Sequence, residues 1–308
     1  RPYDKATIWE QLNIVGLASE MKSKVFLWEC MGLTPSYVAI LQRQWMRDDL
    51  STIVNTYPDH EDLQGPAGVN IPEVMTNFLT EGGKVLTSEQ HMTPILKEAA
   101  KRYGTDLKEV NWIAPGLLTP DVIERFPYDE HPNNIALVMV MGEELGVAPD
   151  FAVKEMADRV VPDLGVLKTY PVAIVEGRRL QFINGMSANE RFGCLANWRR
   201  LQFDRHDAYA EPGEWLSTVV NNRADRIARS KVFASILVQD LSADRHFLIG
   251  SNLKGLLGYI REAWDAHAAE LSLVSDEAGL TAQDLFERAA RDLRQPVTSD
   301  DVTNRLRA

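Results

Sequence analysis

Two periods alternate along this chain. Stretches in which apolar residues recur every three or four positions give way to short apolar runs of strand length, and the alternation is repeated in both halves. Ile8, Leu12, Val15 and Ala18 predict a helix over residues 7–21. The run at residues 25–30 predicts a strand, and Thr34-Pro35 reads as N-cap and first helical position of a helix reaching Gln44. A second run starts at Ser51; Gly65-Pro66 and Asn70-Ile71-Pro72 then mark a loop before a helix carrying Val74, Phe78 and Leu79. Gly82-Gly83 introduces a strand over residues 84–87, followed by a helix over 93–103, a strand over 110–113 and an apolar helix that opens at His131-Pro132-Asn133-Asn134. Strand and helix in turn mean an α/β chain with a parallel, helix-covered sheet.

The rhythm breaks around residues 161–177, where Pro162, Gly165, Pro171 and Gly177 cluster. This predicts a first domain over residues 1–165 and a second over 171–308, with a hinge between them. In the second part, residues 180–184 form a β-run with a turn at Gly185, and 188–201 a helix with Trp198 on its apolar face. Residues 215–221 form another strand, leading through Asn221-Asn222-Arg223-Ala224-Asp225-Arg226 into a helix over 227–241. His246 to Gly250 with Ser251-Asn252 repeats the grammar, residues 271–274 are a candidate last strand and 281–293 a helix.

With 308 residues, 45% hydrophobic and 25% charged, the chain has ample material for two cores. Cys30 and Cys194 are too few for a disulfide framework or a four-cysteine zinc site and fit a reduced cytosol. No apolar run reaches the ~18 residues of a membrane span, and no signal peptide is legible. A net charge of −11 argues against nucleic acid as a main partner. The charge is uneven: residues 1–167 carry 14 basic and 25 acidic side chains, residues 168–254 carry 13 and 9. A basic segment in an acidic chain is either a solvated face or a surface that receives an anion.

The chemistry gathers where apolar runs end in acid and imidazole. Glu29 closes the first run, and Asp59 and His60 follow the second. On parallel strands these ends share the edge at which open α/β sheets bind ligands. Carboxylate and imidazole together suit a hard divalent cation that keeps positions free for phosphate oxygens. Taken singly, Glu29 ends a strand and Asp59 caps a helix. Arg223 and Arg226 stand at another strand end, suited to bidentate carboxylate recognition or to pairing with Asp225.

The combination is more specific than its parts. Glu29-Cys30-Met31 with Pro35, the Asn55 to Asp62 motif, Asn184-Gly185 and Arg223-Ala224-Asp225-Arg226 resemble the Mur ligase superfamily, and within it the poly-γ-glutamate synthetase family of capsule biosynthesis, over residues 8–265. The resemblance implies a Mur-ligase-type central ATPase domain with its N-terminal part missing, followed by a smaller Rossmann-like α/β domain. It implies ATP and Mg²⁺ as cofactors, with Glu29 and His60 holding the metal and Asp59 orienting the histidine. Asn134 matches the asparagine that hydrogen-bonds the adenine; as a residue it reads equally as a helix N-cap. Lys168 matches a basic residue that reaches the phosphates, or is an exposed hinge lysine. Where many Mur-type ligases carry an aspartate for the ribose, this chain has Asn184, Gly185 and Ser187, so Asn184 and Ser187 are its polar candidates there. No Gly-x-x-x-x-Gly-Lys-Ser/Thr loop occurs, which places a phosphate loop, if the family pattern holds, upstream of Arg1.

The implied activity is ATP-dependent amide ligation. A carboxylate is activated as an acyl phosphate and glutamate is added to it, with glutamate or a γ-glutamyl chain as substrate. A small membrane subunit of a polymer synthesis and export complex is the implied partner, and a homo-oligomer is compatible with it. The expected location is cytoplasmic, with membrane association through upstream residues or a partner as the variant. The rival expectation is a degenerate Mur-like binding or scaffolding module without catalysis, or another Mur-type amino-acid ligase.

Overall fold

The computed structural model of the chain describes residues 7–30, 34–58, 70–111, 118–206, 213–270 and 279–293. It separates into two compact units, Arg1–Asn197 and Trp198–Ala308. Both are α/β, and each contains a parallel sheet, the class that the alternation of periods requires.

In the first unit, α1 (Ile8–Glu20) and α2 (Pro35–Ile40) precede β1 (Leu50–Ile53). A π-helical turn, Leu41–Met46, extends α2 and ends at Arg47 in the left-handed conformation. Then follow α3 (Asn70–Met75), β2 (Lys84–Thr87), α4 (Thr93–Tyr103) and β3 (Asp106–Glu109). The three strands are parallel, in the order β1-β2-β3, with Leu50 opposite Lys84 and Lys84 opposite Asp106. The central strand shows why: Val85 and Leu86, neighbours in sequence and both fully buried, point to opposite faces. Val85 packs with Ile53, Leu79, Leu96, Ala99 and Ala100. Leu86 packs with Ile135, Leu137 and Met139 of α5 (Pro132–Glu144) and Val153 and Ala157 of α6 (Pro149–Arg159). A strand buried on both faces calls for adjacent apolar residues, and Val85-Leu86 supply that pair between Lys84 and Thr87.

Two expected strands come out differently. The run at residues 25–30 has no ladder partner among the described residues, and Val25 and Leu27 are exposed. An apolar run supplies only half of a strand; the hydrogen-bonding neighbour has to come from elsewhere. Glu29 is therefore exposed and not at a strand end. The strand expected at 110–113 is displaced to Asp106–Glu109, whose side chains are mostly solvent-facing. Salt bridges cover it: Lys84 with Asp106, Lys97 with Glu109 and Lys108 with Glu144. Periodicity misses such a strand because its stability is set by the neighbouring strand and by charge pairs. Val110 still continues the ladder, donating to Thr87 O at 2.7 Å.

The first unit continues through β4 (Lys168–Thr169), the hairpin β5 (Ala173–Val175) and β6 (Arg178–Leu180), and β7 (Ile183–Asn184) to α7 (Arg191–Arg200). The run expected over 180–184 is thus divided between β6 and β7, each pairing antiparallel with a different strand. The compact units part at 197/198, within α7. Residues 163–187 are tied to the rest of the first unit through Asp129, whose N–H donates to Leu167 O at 2.8 Å and whose Oδ2 accepts from Thr169 N at 3.0 Å.

In the second unit, β8 (Ser217–Asn222) and β9 (Arg245–Gly250) pair in parallel, Asn222 opposite Gly250. They are joined through α8 (Ile227–Gln239), and α9 (Leu253–Glu270) follows. Ala234, Ile236, Leu237 and Leu256 are buried. The helix expected at 281–293 is α10 (Ala282–Leu293), while the strand expected at 271–274 lies outside the described residues. No helix among the described residues is long and apolar enough to cross a membrane.

Candidate active site

The first unit concentrates polar groups at the carboxyl ends of β1 and β2. Thr87 Oγ1 and Ser88 Oγ donate to the carbonyls of Ile53 and Val54, both at 2.7 Å. Glu89 comes next, only 4% exposed. One of its oxygens accepts from Thr56 N at 2.6 Å and Thr56 Oγ1 at 2.9 Å; the other accepts from His91 N at 2.7 Å and Met92 N at 3.1 Å. Burial pushes this carboxyl up, but the backbone donors of Met92, His91 and Thr56, with the Thr56 hydroxyl, together hold it below the usual carboxylate range. Glu89 is thus a charged brace that fixes how the chain leaves β1. Asn55 Oδ1 accepts from Tyr57 N at 3.1 Å and tightens the same exit. Asp59 and His60, which follow directly in sequence, lie outside the described residues.

Tyr57 links this edge to the start of α7. Its ring stacks on Phe192, centroids 5.7 Å apart and planes 21° apart. Burial, then the charges of Glu89 and Glu190, raise its phenol above the ordinary value. Glu190 accepts from Phe192 N and Gly193 N and so satisfies free donors at the start of that helix.

Asn134, Lys168, Asn184 and Ser187, the residues expected at a nucleotide, all belong to the first unit. Lys168 and Asn184 are direct partners across β4 and β7. Asn184 is buried; its amide nitrogen serves Leu164 O at 2.6 Å and Val166 O at 3.2 Å, so it stabilises the turn. Ser187 is exposed and its N–H donates to Gly165 O at 2.9 Å, which leaves the hydroxyl as its chemical handle. Asp129 connects β4 to the entrance of α5: its Oδ2 accepts from Thr169 N and Thr169 Oγ1, each at 3.0 Å. Asn134 lies in the first turn of α5, where His131 is the N-cap, its Nδ1 accepting from Asn133 N at 3.2 Å. Asn134 is therefore not the cap residue. Its Nδ2 donates to Glu130 Oε1 at 2.8 Å.

In the second unit, the carboxyl end of β8 carries Arg223 and Arg226. Arg223 forks onto Asp225, Nε to Oδ1 at 3.0 Å and Nη2 to Oδ2 at 2.7 Å, with both side chains well exposed. The Arg223 guanidinium holds the Asp225 carboxyl below its usual value. Arg226 Nε is buried without a hydrogen-bond partner among the described residues, 3.9 Å from Asp225 Oδ2. Asn222 fixes the two strand ends: its Nδ2 donates to Ser251 O at 2.7 Å and its Oδ1 accepts from the buried Ser230 Oγ at 2.7 Å. Ser251 Oγ in turn accepts from Ala224 N at 2.9 Å, holding the loop that carries both arginines.

Glu89, Asp129, Glu130 and Asn222 were not legible as site residues. Only Glu89 left a signal, since an acid one residue after Ser88 closes the 84–87 run as Glu29 closes its own.

Comparison with known proteins gives a family match over part of the chain and similar proteins over most of it. Residues 169–302 match the family model of the poly-gamma-glutamate synthase CapB C-terminal domain. The chain is similar along most of its length to PGA synthase CapB of Bacillus subtilis (strain 168), 26% identical over 250 residues, covering 81% of this chain and 61% of that protein. It is likewise 26% identical over 243 residues to the capsule biosynthesis protein CapB of Bacillus anthracis, covering 79% of this chain and 50% of the relative. The chain thus spans half to about three-fifths of the length of these curated relatives. Among solved structures it matches folylpolyglutamate synthase from Thermotoga maritima (14% identity, TM-score 0.39, 69% of this chain and 51% of that one). E. coli FolC in complex with DHPP and ADP matches at 13% identity and TM-score 0.37, over 71% and 62%.

Proposed function

We propose that the full-length protein is an ATP-dependent carboxylate–amine ligase that adds glutamate to a γ-glutamyl chain. The observation that carries this is the CapB C-terminal domain match over residues 169–302, joined to a first unit whose polar groups gather at parallel strand ends. ATP and Mg²⁺ suit the residues present. Asn134 offers an oriented amide, Lys168 an ammonium, and Glu29 an exposed carboxylate of the hard-oxygen type that Mg²⁺ prefers. Glu29 and His60 would hold the metal, Asp59 would orient the imidazole, and Asn134, Lys168, Asn184 and Ser187 would line the nucleotide. Asn184 acts there by holding the turn at 164–166, its side chain being already engaged.

ATP supplies a phosphoryl group that turns the acceptor carboxylate into an acyl phosphate; attack by the glutamate amine then forms the amide and releases phosphate. The cationic residues neutralise charge as it moves onto phosphate oxygens. Arg223 and Arg226 receive the carboxylates of the incoming glutamate. Arg223 is available for this because its pair with Asp225 is exposed and screened, and such a pair is readily exchanged for another carboxylate. The same reading gives a protein that works at the cytoplasmic face of the membrane with a small membrane subunit, alone or as a homo-oligomer.

The test is release of ADP by the full-length protein. It should require glutamate and Mg²⁺ together and yield a γ-glutamyl amide visible by mass spectrometry; ADP release indifferent to glutamate would sink the ligase reading. Glu29→Gln and His60→Ala are expected to raise the Mg²⁺ concentration for half-maximal rate by roughly tenfold or more. Unchanged metal dependence in both would remove them as ligands.

The arginines give a separate prediction. Loss of a charge-assisted contact to a carboxylate corresponds to roughly 10- to 100-fold in apparent affinity, so Arg223→Ala and Arg226→Ala should raise the KM for glutamate by that range and leave the KM for ATP near wild type. If both variants instead lower Tm and keep the glutamate KM, the arginines serve only the loop at residues 223–226.

A further inference from the structure

Resting on the reading of Asn134 as the contact to the base, we propose that Glu130 makes the site selective for a purine with an amine at position six, by locking the direction in which the Asn134 carboxamide faces. Asn134 Nδ2 donates to Glu130 Oε1 at 2.8 Å. A carboxylate only accepts, so the end of the amide facing Glu130 is the nitrogen end, whatever the ambiguity of an isolated amide. Turning the amide over would set its oxygen against a carboxylate oxygen.

Glu130 is itself held from two sides. Tyr128 Oη donates to Oε2 at 2.6 Å and His131 N to Oε1 at 2.7 Å. The Tyr128 ring meets the buried Phe126 edge-on, centroids 6.3 Å apart. Burial, then the hydrogen bond to Glu130 and its charge, keep the Tyr128 phenol protonated well beyond neutral pH, so it stays a donor. The triad Tyr128-Glu130-Asn134 therefore has one hydrogen-bond direction, running from each donor into the carboxylate.

What remains for the base is the Asn134 oxygen, an acceptor, beside the second N–H of the amide, a donor. The exocyclic amine of adenine donates to the oxygen, and the ring nitrogen next to it, present in both kinds of purine, accepts from the N–H. A purine with a carbonyl at position six presents an acceptor to an acceptor. A matched contact of this kind to a base edge discriminates by roughly 10- to 100-fold.

The experiment compares ADP with inosine diphosphate, which replaces the six-amine by a carbonyl and keeps the sugar and phosphates. Both are titrated calorimetrically, without metal, into the full-length protein. Wild type is expected to bind ADP roughly 10- to 100-fold more tightly. In Glu130→Gln, whose amide can turn to donate to the Asn134 oxygen, the ratio should fall below about threefold, and in Asn134→Ala it should vanish. General damage to the site weakens both nucleotides alike and leaves the ratio in place. Equal binding by wild type, or a full ratio surviving in Glu130→Gln, overturns the assignment to Glu130. A wild type that binds neither nucleotide overturns the nucleotide reading itself.

Discussion

Replacing Glu89 by alanine is expected to lower the melting temperature of the protein by roughly 6–12 °C, the equivalent of about 3 kcal/mol. The carboxylate is buried and satisfies three backbone N–H groups, those of Thr56, His91 and Met92, as well as the Thr56 hydroxyl. Removing it strands donors that water does not readily reach, and unsatisfied buried donors cost far more than an average hydrogen bond contributes. The effect has a pH signature. Because the folded carboxyl is held below its ordinary value of 4.5, its contribution is complete above that pH and is lost as pH falls through the depressed value. The gap between wild type and Glu89→Gln should therefore be widest near neutrality and close in acid. A gap independent of pH would mean that Glu89 stabilises by packing and not by charge. Since Thr56 opens the segment that runs into Asp59 and His60, the same variant should also perturb metal dependence of the proposed reaction.

Gly250→Ala is expected to be at least as damaging. Gly250 has φ +96°, a region that L side chains rarely adopt, and a Cβ there would stand 2.2 Å from Asn222 O and 2.4 Å from Asn221 Oδ1. The two strand ends cannot keep their register around it. Backbone strain and overpacking together amount to about 3–4 kcal/mol, and thermal unfolding should register a loss of roughly 6–15 °C. The damage is local to the loop that presents the arginines, because Ser251 holds both Asn222 Nδ2 and Ala224 N. Below its lowered Tm, Gly250→Ala should accordingly show a raised KM for glutamate. Wild-type Tm in this variant would show that the strand ends can part without cost.

The sequence by itself determined the class and much of the element order. Residues 84–87 and 93–103 come out as read and 246–250 within one residue, since a doubly buried strand and a two-faced helix write their environments into the period of their apolar residues. It also determined that acids, amides and arginines stand where strands end, and so which residues to examine for chemistry. What it could not contain is anything that depends on a second segment. Residues 25–30 have the composition of a strand, but pairing is a property of two chains of backbone, and the described residues provide no neighbour. Asp106–Glu109 has no such composition and is a strand because β2 lies beside it. Leu167 and Thr169 are bound to Asp129, 38 and 40 residues earlier, a tie that the proline and glycine cluster at 161–177 does not announce. Glu89 and Glu130 were ordinary acids until the fold brought backbone donors to one and an asparagine amide to the other. Direction and availability of a side chain are set by what surrounds it, and that is information only tertiary structure holds.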